Sequence, residues 1–72
     1  MRSSGDRNGQ DDAQGGVCFE FTPVGGSVKV AAIDVATGTE VSVIGPARAA
    51  RADLQQLALQ KLHARLKGGF NP

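Results

Sequence analysis

Cys18 and His63 are the residues of this chain whose types best suit covalent chemistry, as a thiol nucleophile and its imidazole base. Their surroundings set them apart. Cys18 lies in "VCFEFTP", where Val17, Phe19 and Phe21 alternate with Cys18, Glu20 and Thr22. In a strand these two sets point to opposite faces. His63 falls with Gln56, Gln60 and Lys67 on the polar side of a helical stretch. The two groups are therefore expected to point in opposite directions across the domain, and no enzyme is expected. Cys18 reads as a half-buried filler, and His63 as a solvated helix residue. The carboxylates offer no acid–base pair. Asp34 heads a turn, Glu20 is expected to meet Lys29, and no second carboxylate converges on either in that geometry. The glycine-rich "VGGSVKV" lacks the spaced Gly-Lys-Ser/Thr of a phosphate loop and leads into a strand. No catalytic, cofactor-binding or metal-binding residue is assigned, and no cofactor is expected.

The elements that position these residues are legible from hydropathy. After "VCFEFTP", Pro23 and "VGGS" read as a turn, and "VKVAAID" alternates with Val28, Val30 and Ala32 on one face. "DVATGT" reads as a second turn, with Gly38 at a position of positive φ, and "TEVSV" puts Val41 and Val43 on one face. A four-residue loop, Val35 to Gly38, sets Asp34 opposite Thr39, Ala32 by Val41 and Val30 by Val43. In the first hairpin the face-matched register expected here sets Phe21 by Val28 and Phe19 by Val30, with Glu20 opposite Lys29. Gly45-Pro46 ends the third strand. Ala50, Leu54, Leu57, Ala58, Leu62 and Leu66 then recur at helical spacing, with Leu59 at the edge of the stripe, so a helix is predicted from about Ala49 to Lys67. Asp53 suits its positive N-terminal end; Lys61, Arg65 and Lys67 suit its negative C-terminal end. The predicted fold is α+β, a three-stranded antiparallel meander packed on one C-terminal helix.

The length of 72 residues permits one small domain. Met1 to Gly16 contains one Ala and the initiator Met as its only apolar residues. Such a segment cannot bury enough surface to offset its ordering entropy, so residues 1–16 are expected to form a disordered tail, with the domain at 17–68 and a flexible end at 69–72. The tail lacks the apolar core of a secretory signal. No apolar run approaches the roughly 20 residues of a membrane span. A single cysteine excludes an internal disulfide and a multi-cysteine zinc site. A cytoplasmic location away from any membrane is expected. A core this small supplies only roughly 3–5 kcal/mol, and with no disulfide or metal in view a partner chain is the expected source of further stability.

The order Phe19–Glu20–Phe21, Val28–Lys29–Val30, Ala32–Ile33–Asp34, Thr37–Gly38, Glu40–Val41 and Gly45–Pro46, followed by a leucine-rich helix, resembles a family of small uncharacterised alphaproteobacterial proteins, a domain of unknown function. The resemblance covers residues 17–66. Its motifs are turn and core residues, and it implies no activity.

Two functions are weighed. The first is a protein-interaction or structural module that self-associates, as a homodimer or with another protein. Its candidate contact is the sheet face away from the helix, with Cys18, Ala31, Ile33 and Ile44 inside a rim of Lys29, Glu20, Glu40 and Ser42. The open edges of a meander offer a second route. The alternative is an accessory nucleic-acid binder. Residues 45–72 carry Arg48, Arg51, Lys61, Arg65 and Lys67 against Asp53 alone, whereas residues 1–44 are acidic. The chain has no Trp or Tyr, and Phe19 and Phe21 are assigned to the core, so a base-stacking platform is missing.

Overall fold

The computed structural model describes residues 12–68. Its elements are β1 (Asp12–Gln14), β2 (Val17–Val24), β3 (Ser27–Asp34), β4 (Glu40–Pro46) and α1 (Arg51–Gly68). The strands form one antiparallel sheet in the order β1-β2-β3-β4, and α1 packs on β3 and β4. The expected meander and helix are therefore present as β2, β3, β4 and α1. A short strand is added to them. Asp12 to Gln14 pair with Val17 to Phe19 through a Gly15–Gly16 turn, so the tail expected over residues 1–16 gives up its last part to the sheet. Polar side chains do not prevent this, because the pairing is made by backbone groups alone. The rest of that tail, and the flexible end expected over residues 69–72, lie outside the described residues.

The β3–β4 register matches the expected one. Ala32 pairs with Val41 and Val30 with Val43, and Asp34 N–H donates to Thr39 O at 2.8 Å. The turn is built from its own side chains. Asp34 Oδ2 accepts from Thr37 N–H (3.1 Å) and from the Thr37 hydroxyl (2.8 Å). Thr37 Oγ1 also accepts the Thr39 N–H (3.1 Å). Gly38 closes the turn at φ +77°, where a side chain would be strained, and its N–H donates to Asp34 O.

The β2–β3 register differs from the expected one by two residues. Phe21 pairs with Val30, Phe19 with Ala32, and Glu20 with Ala31; Lys29 pairs with Thr22. Glu20 and Lys29 share a face but stand diagonally, not opposite. The cause is Pro23, which does not end the strand. β2 continues to Val24, and the turn shrinks to Gly25–Gly26, the two-residue loop that hairpin twist favours. Val35 N–H donates to Gly16 O (2.9 Å), and the antiparallel alternation counted from that bond makes Pro23–Val28 a non-hydrogen-bonded pair. The Pro23 nitrogen thus points away from β3, toward the β2 edge past the last β1 pair, Asp12–Phe19. A missing N–H interrupts no ladder bond there.

The core lies between the sheet and α1. Phe19, Val30 and Ala32 are fully buried, joined by Val17 and Val41, against Leu54, Ala58 and Leu62 of the helix. Leu57 and Leu66, expected on the buried stripe, are 51% and 40% exposed. Helical position explains the first of these. Lys61, one turn after Leu57, reaches Ser42 O on the outer edge of β4 at 2.8 Å, so the 57–61 line of the helix overhangs that edge. The contact line is the i, i+4, i+8 row Leu54–Ala58–Leu62, with Leu59 beside it. Ala50 is also exposed. It is the N-cap, its carbonyl accepting Asp53 and Leu54 N–H at 3.0 and 3.2 Å. Gly45 faces Leu54 so closely that a Cβ there would lie 2.4 Å from Leu54 Cδ2. A side chain at this point would force Leu54 or the helix to shift.

Candidate interaction surface

Strand alternation sends every second residue of β2, β3 and β4 to the face opposite α1. Register aligns them in ranks across the sheet: Cys18–Ile33–Glu40, then Glu20–Ala31–Ser42, then Thr22–Lys29–Ile44, then Val24–Ser27–Pro46. No described element covers this face. The expected contact residues thus share one face, but unequally. Ile44 is 65% exposed, Cys18 and Ile33 are half-buried, and Ala31 is only 3% exposed. Ala31 is a single methyl group in the central strand, between the side chains of Glu20 and Ser42, and it adds nothing to the surface. Val24 is 51% exposed and joins the face at its far end. The turn expected at "VGGS" includes Val24, whereas the chain pairs Val24 with Ser27 and turns at Gly25–Gly26 alone, a two-residue hairpin loop that is itself a sequence signal.

The expected phosphate contacts are spread from the β4–α1 connection to the last turn of α1. Arg48 lies in the β4–α1 connection and Arg51 opens the helix, its Cζ 4.2 Å above the centre of the Phe21 ring. Lys61 donates to Ser42 O. Arg65 follows Lys61 by one turn, while Lys67, two residues later, projects from another side of α1. All five are exposed. Two of them hold contacts that the sequence did not reveal, a cation over an aromatic ring and a lysine over a strand edge. Neither had a signal in spacing, because each joins elements far apart in the chain.

Cys18 and His63 stand on opposite sides of the sheet, Cys18 on the open face and His63 exposed on the helix. Among the described residues no three His, Cys, Asp or Glu side chains gather to hold a metal ion, and no helix is long and apolar enough to cross a membrane.

A family model described as "Domain of unknown function (DUF6898)" matches residues 14–69. The chain belongs to this family. The matched span begins at the last residue of β1 and ends one residue past α1, so the DUF6898 unit is the meander together with its helix. The chain matches no curated protein and no solved structure. The open face, the Gly45–Leu54 approach and the lysine-covered β4 edge all lie within the DUF6898 span.

Proposed function

We propose that this DUF6898 domain is a small protein-interaction module that self-associates through its open sheet face as a two-fold homodimer. The observation that carries the reading is Ile44, 65% exposed beside half-buried Ile33 and Cys18 on a face that no described element covers. The charges support a second copy as the partner. The face bears both an acid, Glu20, and a base, Lys29, one rank apart. A two-fold axis through such a face brings each acid toward the other copy's base. The face is favoured over the edges. Lys61 occupies an outward carbonyl of β4, a device that discourages strand addition, and β1 covers the start of β2.

Size sets the expected strength. Three strands about 4.8 Å apart, two of eight residues and one of seven, at about 3.3 Å per residue give a face of roughly 400 Å². A standard interface takes about 800 Å² per partner, so the dimer is expected to be weak. The reading assigns no catalysis; the separation of Cys18 from His63 supports that. The setting it assumes is the cytoplasm of an alphaproteobacterium, in line with the sequence resemblance. The experiment is sedimentation equilibrium from about ten to several hundred micromolar, a range suited to a small interface. A concentration-dependent dimer is expected, reduced to monomer by Ile44→Lys or Ile33→Lys. A monomer throughout overturns the reading. Retention on nucleic acid that weakens steeply with salt would instead favour phosphate contact through the basic residues.

A further inference from the structure

Two copies of the open face can meet in several ways, and the register of the sheet separates them. On this face the ranks set by the strand pairing are about 6.6 Å apart and the strands about 4.8 Å apart. When a two-fold axis lies in the plane between two such faces, each residue meets the one that mirrors it across the line of the axis. An axis along β3 stacks Lys29 on Lys29 of the second copy and Ile44 on its Thr22, a like-charge contact and an apolar group on a polar one. An axis along the ranks, midway between Glu20–Ala31–Ser42 and Thr22–Lys29–Ile44, sets Glu20 on Thr22 and Ile44 on Ser42. Neither arrangement matches charge with charge or apolar with apolar.

A diagonal axis does both. Glu20 and Lys29 are exposed and lie on adjacent strands one rank apart. The line that carries one onto the other runs at roughly 35° to the ranks. The same line passes beside Ala31 and carries Ile44 into the gap between Cys18 and Ile33 of the second copy. Each contact then occurs twice by symmetry. Ala31, 3% exposed and carrying only a methyl group, lies near the axis, where a short side chain lets the sheets approach. Strands of the two copies cross at roughly 70°, close to the orthogonal class of sheet packing. Val24, at the far end of the face, falls outside the overlap. We propose, resting on the self-association reading, that Glu20 and Lys29 select a second copy as the partner through reciprocal ion pairs in this diagonal arrangement. Ile44 of each copy is seated between Cys18 and Ile33 of the other.

The experiment is a charge exchange in the full chain, read by sedimentation equilibrium. Glu20→Lys alone and Lys29→Glu alone each create two like-charge contacts across the axis, and each is expected to weaken the dimer at least about ten-fold. The double variant restores opposite charges, as does an equimolar mixture of the two single variants. Both are expected to return to within about three-fold of the parent. Val24→Lys is expected to change nothing. Cys18 is the only cysteine of the chain, so its alkylation by iodoacetamide is a second readout, expected to slow as the parent dimer forms. A parent dimer that Ile44→Lys abolishes but neither single charge variant weakens overturns the arrangement and leaves self-association standing. Loss in the single variants without recovery in the mixture overturns it too. So does loss in Val24→Lys, or a Cys18 rate independent of protein concentration. A parent chain that is monomeric at every concentration overturns self-association itself.

Discussion

Gly45→Ala tests the packing of helix on sheet at a single atom. In an ordinary strand this change should stabilise slightly, because alanine restricts the unfolded chain, by about 0.4–1 kcal/mol. The φ of Gly45 is not in the left-handed region, so backbone strain gives no reason against it. The obstacle is steric. The new Cβ would lie 2.4 Å from Leu54 Cδ2, 3.4 Å from Cδ1 and 3.5 Å from Cγ. Leu54 is 4% exposed and part of the core, so its end group cannot swing into water without leaving a void. Either Leu54 adopts a poorer rotamer or α1 lifts from β4, and overpacking of this kind costs about 1–3 kcal/mol. The steric term is larger than the entropic one, so the net expectation is a loss of about 1–2 kcal/mol. For a chain of this length each kcal/mol lowers Tm by about 4–8 °C. The assay is thermal and urea denaturation followed by far-ultraviolet circular dichroism. Leu54→Val supplies the control, since it removes both Cδ atoms at a cost of about 1 kcal/mol. The double variant should be more stable than the sum of the two losses by about 1 kcal/mol, because the collision is then gone. A Gly45→Ala protein as stable as the parent, or strict additivity in the cycle, would refute the close approach of α1 to β4.

Two further outcomes follow from the same packing. Leu62→Asp should unfold the domain, since residue 62 is fully buried against the sheet, whereas Leu57→Asp should cost under about 1 kcal/mol at its half-exposed position; equal loss of dichroism in both would show that the contact line of α1 is misassigned. Lys61→Met removes the donor to Ser42 O and should leave Tm within a few degrees, since an exposed hydrogen bond contributes at most about 1 kcal/mol. It should also raise the rate of aggregation seen by light scattering, and an unchanged rate would argue that Lys61 does not guard the β4 edge.

Much of the design is written in alternation. The period of two in "VCFEF", "VKVAA" and "EVSV" determines which residues face the helix, and Val17, Phe19, Val30, Ala32 and Val41 are buried as that pattern requires. The β3–β4 register was also legible, because Asp34, Thr37 and Gly38 form a turn whose bonds are local in the chain. The candidate face followed from the same alternation, but its makeup did not. Ala31 has the right parity and is buried all the same, since exposure depends on the height of its neighbours in adjacent strands. Contacts such as Arg51 over Phe21, Lys61 on Ser42 O and Leu54 against Gly45 join distant segments, and they exist only once the helix has taken a position over the sheet. Leu57 shows the same dependence, as hydropathy identifies an apolar stripe wider than the line the sheet covers. The β2–β3 register shows the division most plainly. A slip of one residue would turn every side chain to the wrong face, and the pattern forbids it. A slip of two leaves every face unchanged, so alternation cannot distinguish Glu20 opposite Lys29 from Glu20 opposite Ala31. That choice belongs to the folded sheet, where a two-residue glycine turn closes the hairpin and the Pro23 nitrogen points away from β3, beyond the described β1 pairs.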